Sequence, residues 1–158
     1  MQSIDTISKL APVFTTLLLG IFGTFISFYQ YKVNQAKLRL DLFDKRLEAY
    51  GAVQRYFSIL AKGSAAIANS DDAFKVLYKA ENMSQFLFDN DVLKYIDEIK
   101  KSAFRMRDIH FLVDGPDGLP VGDERSKLCK ELAEISKWNK EQCHKAPALY
   151  SKYMRIKI

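Results

Sequence analysis

The feature that most constrains the fold of this chain is a run of twenty-two residues, Leu10 to Tyr31, without a charged side chain. At about 1.5 Å per residue, a helix of this length extends roughly 33 Å, enough to cross a hydrocarbon core of about 30 Å. A cleaved secretory signal is the alternative, but its apolar stretch is usually about 7–15 residues long, and no Ala-x-Ala cleavage site follows this run. The sequence therefore predicts a retained transmembrane helix.

The charges on either side of this run predict its orientation. Only Lys9 and the amino terminus precede it, whereas several basic residues follow it closely. Because basic residues favour the cytoplasmic side, we expect the amino terminus outside and the carboxy-terminal domain in the cytoplasm, with the chain in the inner membrane. The basic residues that follow are Lys32, Lys37, Arg39, Lys45 and Arg46.

The predicted domains are residues 1–31, a short external tail with the transmembrane helix, and residues 32–158, a cytoplasmic helical ligand-binding domain. Neither proline nor glycine occurs between Gln30 and Tyr50, so the transmembrane helix is expected to continue into the domain without a break. Apolar residues then recur at spacings of three and four, which is typical of a helix that packs along one face. This heptad stripe consists of Val33, Ala36, Leu40, Phe43, Leu47, Tyr50, Gln54, Phe57 and Ala61.

Three more helices are predicted, which makes the fold class all-α. They run from Ser70 to Phe88, from Asn90 or Asp91 to Val113, and from Asp123 to His144, with Ser70 as a helix cap. The glycine- and proline-rich residues 114–123 are a connector, and Pro147 is expected to end the last helix before a short terminal segment. The predicted inward residues are Phe74, Leu77, Tyr78, Phe86, Val92, Ile96, Ile99, Ala103, Met106, Leu128, Leu132 and Ile135.

The chain shows no pattern typical of a metal site or a catalytic centre. Cys129, Cys143, His110 and His144 lack the spacing of zinc ligands, so no metal is predicted. Nucleotide-binding, nucleophile-elbow and zinc-protease motifs are absent. A triad would need one of the two histidines, and no nucleophile motif accompanies either of them. We therefore expect no enzymatic activity, no cofactor and no catalytic residue.

Positive charge is concentrated at the end of the chain. The whole sequence has 24 basic and 19 acidic residues, a net charge of +5, and residues 127–158 alone have eight basic and three acidic residues. On the cytoplasmic side, such a segment can meet anionic lipid, nucleic acid or a phosphorylated small molecule. A solvated helix face without a partner is the alternative.

Basic and aromatic residues outside the predicted core are the candidate ligand-binding residues, because cations neutralise phosphates and rings stack on bases. Core packing is the alternative for Trp138, and a half-buried, hydrogen-bonded state is the alternative for His110. No signature of binding to polymeric nucleic acid occurs. The candidates are Lys101, Arg105, Arg107, His110, Lys137, Trp138, Lys140 and His144.

Small residues recur on the transmembrane helix at spacings that let two helices approach closely. This stripe predicts self-association in the membrane, although small residues are also simply tolerated in such helices. The small-residue stripe consists of Thr16, Gly20, Gly23, Thr24 and Ser27.

The stretch from Tyr31-Lys32 to Tyr50, which ends Leu-Asp-Leu-Phe-Asp-Lys-Arg-Leu-Glu-Ala-Tyr, resembles a juxtamembrane helix of many small bacterial single-span proteins and assigns no activity. In size and order of parts, the whole chain resembles the type III CRISPR ancillary membrane effectors. The resemblance lies in architecture and includes no diagnostic motif. It implies an antiviral defence effector, a tetramer that binds cyclic tetra-adenylate and then opens or disrupts the inner membrane.

Two other functions fit the same sequence features. A structural or adaptor protein would dock a protein partner at the membrane through its helical domain. A holin-like protein would form pores without any ligand.

Overall fold

A computed structural model describes the backbone from Gln2 to Arg155 and the side chains from Phe14 to Arg155. The described chain contains five helices and no strand, which confirms the all-α prediction. The predictions for the side chains of residues 1–13 and for residues 156–158 lie outside the described residues. The helices are α1 (Gln2–Leu60), α2 (Ser64–Ala68), α3 (Asp71–Leu87), α4 (Asn90–Asp114) and α5 (Asp123–Ser151).

Helix α1 is continuous over 59 residues, which confirms that the apolar run and the heptad stripe as far as Phe57 belong to one helix, while Ala61 lies just past its end. The chain forms two compact units, Met1–Asp41 and Leu42–Ile158. The predicted division after Tyr31 concerns the membrane boundary and stays a prediction. In the described part of the chain, α1 is the one helix long and apolar enough, by length and composition, to cross a membrane.

The second unit is a helical bundle in which α4 packs against α2, α3 and α5. The inward predictions for Phe74, Leu77 and the α4 line are confirmed, since Leu77, Ile96, Ile99 and Met106 are fully buried. Two predictions on α3 are wrong, because Tyr78 is 46% and Phe86 is 88% exposed. The face of α3 that packs against the core contains Leu77, Ala80 and Ser84. Successive residues of a helix are about 100° apart, so Phe86 lies on the opposite side.

The heptad stripe is buried in only a small part. Phe57 is buried and Tyr50 is half-buried, but Leu40 and Leu47 remain about half exposed in the single chain. The face of α1 that packs in the core is shifted by about one residue from the heptad stripe. The two small side chains at its start let α1 approach the other helices of the bundle. This core line consists of Ala49, Ala52, Val53 and Tyr56.

One helix was not predicted, and one predicted helix boundary is wrong. The small residues after Gly63 form the short helix α2, and Ile67 anchors this helix in the core. Helix α5 continues through Pro147 to Ser151 instead of ending at His144. Pro147 lies on the exposed side of the helix, while Tyr150 beyond it is buried. Since that aromatic packing stabilises the last turn, it offsets the hydrogen bond that the proline removes.

The other local predictions agree with the structure. Ser70 caps α3, with its Oγ accepting a hydrogen bond from the backbone N–H of Ala73 at 3.3 Å. Residues 115–122 are not helical. At the start of the second unit, Arg46 donates hydrogen bonds to the carbonyl oxygens of Leu87 at 3.3 Å and Tyr153 at 3.0 Å. This guanidinium ties α1 to the end of α3 and to the end of the chain.

Candidate ligand-binding site

Two of the eight predicted ligand-binding residues, Arg107 and His110, line one cavity between α2 and the end of α4. The cavity has a volume of about 460 Å³. We call it the α2–α4 cavity. Its walls include Ala65, Asn69, Arg107, His110, Phe111 and Asp114.

Arg107 is held in place by aromatic rings rather than by a carboxylate. Its guanidinium carbon lies 4.4 Å from the centre of the Phe74 ring and 4.9 Å from the centre of the Phe104 ring. Such contacts fix a cation while leaving its N–H groups available. Within the described residues, Arg107 forms no ion pair. It is therefore a positioned cation that can bind an anionic group.

His110 is hydrogen-bonded through both ring nitrogens. Its Nδ1 lies 3.2 Å from Oδ2 of Asp114, and its Nε2 lies 3.0 Å from Oγ of Ser64. A proton on Nδ1 satisfies both contacts, because Nδ1–H then donates to the carboxylate and Nε2 accepts from the hydroxyl. The imidazole is 15% exposed. This state matches the half-buried, hydrogen-bonded alternative for His110.

The outer wall of the α2–α4 cavity is fixed by Arg125, a residue that the sequence did not single out. Its Nη1 donates to the carbonyl oxygens of Val113 at 2.7 Å and Leu119 at 3.0 Å, and its Nη2 donates to Asp114 at 3.1 Å. A Cβ at Gly115 would lie 2.2 Å from the carbonyl oxygen of Phe111, so this close turn requires glycine. Arg125 and Gly115 together hold the loop after α4.

Lys101 and Trp138 meet at a second site, a shallow depression of about 410 Å³ between α4 and α5. We call it the α4–α5 depression. The Nζ of Lys101 lies 2.7 Å from Oδ2 of Asp97. Trp138 is half-buried and packs against the hydrophobic core. The structure therefore favours the core-packing alternative for Trp138 and places it away from the Arg107 cation.

Arg105 forms a bidentate ion pair with Glu131, with Nε–Oε1 and Nη2–Oε2 distances of 2.6 and 2.7 Å. Hydrogen bonds from Arg105 lower the pKa of the Glu131 carboxyl, and the same contacts raise the pKa of Arg105. The pair joins α4 to α5. Its geometry gives Arg105 a structural role beside its predicted binding role.

We expect Glu131→Gln to destabilise the bundle slightly at pH 7, by about 0.5 kcal/mol or less because the pair is exposed. A carboxyl whose pKa is lowered by folding stabilises the protein when the pH is above its ordinary pKa, here 4.5. This stabilisation is lost as the pH falls through the lowered pKa of the folded state. The difference between the two proteins should therefore be smaller at pH 3 than at pH 7. Thermal unfolding of the detergent-solubilised chain at both pH values measures it. Glu141→Gln, an exposed change on the same helix, is the control, and an equal difference at both pH values would contradict the prediction.

The remaining predicted residues, Lys137, Lys140 and His144, are exposed on α5. They line neither the α2–α4 cavity nor the α4–α5 depression. They form no hydrogen bond or ion pair with any residue that the structure describes. Their role in binding stays a prediction. Both cysteines are free, and among the described residues no cluster of His, Cys, Asp and Glu can hold a metal ion.

Two hydroxyl groups of the small-residue stripe donate hydrogen bonds within α1. Thr24 Oγ1 donates to the carbonyl oxygen of Gly20, and Ser27 Oγ donates to that of Gly23, both at 2.8 Å. These hydroxyls are therefore satisfied within their own helix. A Cβ at Gly20 or Gly23 would meet nothing within 4 Å in the single chain.

Comparisons of this chain with protein-family models, with curated proteins and with solved structures find no match.

Proposed function

We propose that the chain is a membrane-anchored antiviral defence effector. In this proposal, its cytoplasmic bundle binds a cyclic oligoadenylate, cyclic tetra-adenylate, as an oligomer in the inner membrane. Binding then opens a pore in the membrane or disrupts it. The observation that carries the proposal is Arg107, a cation stacked on two rings at the wall of a cavity of about 460 Å³.

The chemistry of the α2–α4 cavity suits one nucleotide. A guanidinium binds phosphate through paired, charge-assisted hydrogen bonds. Phe111 lines the same cavity and is 70% exposed, so its ring is available to stack on a base. The Asn69 side chain adds an amide donor and acceptor for the edge of a base. One subunit thus offers partners for the phosphate and for the base of a nucleotide.

A cyclic tetranucleotide calls for four such sites. It has four equivalent phosphates, and a ring of four identical subunits presents four equivalent Arg107 side chains. The small residues Gly20 and Gly23 support assembly of the transmembrane helices, because such residues let two helices approach closely in lipid. We therefore propose a tetramer.

Ligand binding must favour one arrangement of the subunits to act on the membrane, since a ligand shifts an equilibrium only by its differential affinity for two states. Continuous helical structure from Gln2 to Leu60 supports a connection between the two events. Arg46 fixes the bundle portion of that helix to α3 and to the end of the chain.

Reconstitution of the full chain into calcein-loaded vesicles of phosphatidylethanolamine and phosphatidylglycerol tests the proposal. We expect cyclic tetra-adenylate to release calcein and linear tetra-adenylate to release none. Release without any nucleotide would overturn the proposal in favour of a holin-like pore. Intact vesicles at saturating cyclic tetra-adenylate would overturn it as well.

An adaptor role is the second candidate, and the α4–α5 depression favours it. Its walls are largely apolar, with Ile135 and Trp138 beside the charged Glu98 and Glu134. An apolar surface with a charged rim is typical of protein interaction sites. Binding of a protein partner that Trp138→Ala abolishes, in the absence of any nucleotide response, would support this function.

A further inference from the structure

We infer that Ser64, His110 and Asp114 form a catalytic triad that hydrolyses small, negatively charged acyl esters. The inference goes beyond the proposed function and does not rest on it. It rests on one juxtaposition: the hydroxyl, the imidazole and the carboxylate are joined in series by two hydrogen bonds.

The distances suit a nucleophile, a base and an orienting acid. Ser64 Oγ lies 3.0 Å from His110 Nε2, and His110 Nδ1 lies 3.2 Å from Asp114 Oδ2. Both distances lie within the range of about 2.6–3.2 Å that proton transfer between such groups requires, the second at its upper end. The same order of groups, recognised by geometry rather than by sequence, activates serine on several unrelated folds.

Each member of the triad is positioned by other parts of the bundle. Gly63, at a φ of 118°, makes the turn that places Ser64 at the first residue of α2. His110 is on α4, which packs against α2. Asp114 is 57% exposed, and Arg125 holds its carboxylate at 3.1 Å. Arg125 thus takes the place of burial in orienting this acid.

The α2–α4 cavity lies beside the triad and suggests the class of substrate. His110 and Asp114 line this space of about 460 Å³, and Ser64 directly precedes the lining residue Ala65. Ala65 and Ala68 leave room for a short acyl chain, and Arg107 supplies positive charge for a carboxylate or phosphate on the substrate. A short acyl ester with an anionic group fits these walls.

The reaction proceeds in two steps, acylation of Ser64 and hydrolysis of the acyl-serine. Ser64 Oγ attacks the acyl carbonyl carbon while His110 Nε2 takes the hydroxyl proton, and the ester C–O bond breaks as the imidazolium returns that proton to the leaving alcohol. Water then attacks the acyl-serine, with His110 again taking and returning the proton, and the carboxylic acid leaves. Asp114 stabilises the imidazolium without becoming protonated.

Labelling of the detergent-solubilised full chain with a fluorophosphonate probe tests the triad. Intact-mass spectrometry should show one adduct, at Ser64, which is lost in Ser64→Ala and reduced at least about 100-fold in rate in His110→Gln. Ser58→Ala is the control, because Ser58 is exposed on α1 and bonds only to the carbonyl oxygen of Gln54. Hydrolysis of 4-acetoxybenzoate, a short acyl ester that carries a carboxylate, should follow the same order.

An unlabelled wild-type chain, or a label that Ser64→Ala retains, would overturn the triad. Asp114→Asn guards against variants that misfold, since it keeps the shape of the side chain and should slow labelling while circular dichroism stays unchanged. Equal labelling rates in Asp114→Asn and the wild type would also contradict it. Cyclic tetra-adenylate takes no part in these assays, so their outcome is independent of the proposed function.

Discussion

Truncation of Ile96 to alanine should destabilise the bundle by about 2–5 kcal/mol, whereas truncation of Phe86 should cost less than about 0.5 kcal/mol. Ile96 is completely buried on α4, which packs against three other helices. Its loss removes apolar contacts and leaves a cavity among rigid neighbours. Phe86 is 88% exposed, so its truncation removes few contacts in this chain.

Urea unfolding of the detergent-solubilised chain measures both values. Trp138 is the only tryptophan and is half-buried against the core, so its fluorescence reports unfolding of the bundle. Tyr78→Ala is a matched aromatic truncation on the same helix as Phe86 and should have an intermediate effect. A loss of more than about 2 kcal/mol in Phe86→Ala would show that the outer side of α3 is covered in solution.

Replacement of Arg107 by glutamine should weaken binding of cyclic tetra-adenylate by about 10–150-fold. A hydrogen bond to a charged group contributes about 1.5–3 kcal/mol, which corresponds to that factor. The affinity of Arg107→Lys should lie between those of Arg107→Gln and the wild type, because lysine keeps the charge but loses the planar guanidinium that lies over Phe74 and Phe104. The affinity of Arg107→Gln should also depend less steeply on salt concentration.

Lys75→Gln is the matched control for this change, since Lys75 is exposed on α3 and lines neither the α2–α4 cavity nor the α4–α5 depression. Isothermal titration of each variant supplies the affinities. Equal affinity of Arg107→Gln and the wild type would remove the α2–α4 cavity from the proposal. Equal losses in Arg107→Gln and Lys75→Gln would reduce the effect to net charge.

Local chemistry explains which parts of the fold could be predicted. The uncharged run, the Ser70 cap and the buried line of α4 follow from the length of an apolar segment, a capping side chain and a regular period. Tertiary packing decides the rest. Phe86 is apolar but lies past the core face of α3, and Pro147 stays within α5 because the buried Tyr150 beyond it stabilises the last turn.

Only two residues of the candidate site could be predicted from the sequence. Arg107 and His110 stand out in sequence as a cation and an imidazole three residues apart on one helix. Ser64 is 46 residues from His110, and nothing around it marks a nucleophile. Arg125 has no distinguishing pattern in the sequence, and its contacts with Val113, Asp114 and Leu119 are evident only in the folded bundle. Proximity across helices is a property of the bundle, so local pattern cannot reveal it.

Titration of the full-length chain with cyclic tetra-adenylate is the most direct measurement of ligand binding by the bundle. Saturable binding with a Kd below about 100 μM, at one ligand for four chains, is the expected result. Heats that match dilution into buffer up to that concentration would contradict binding, and with it the proposed effector function.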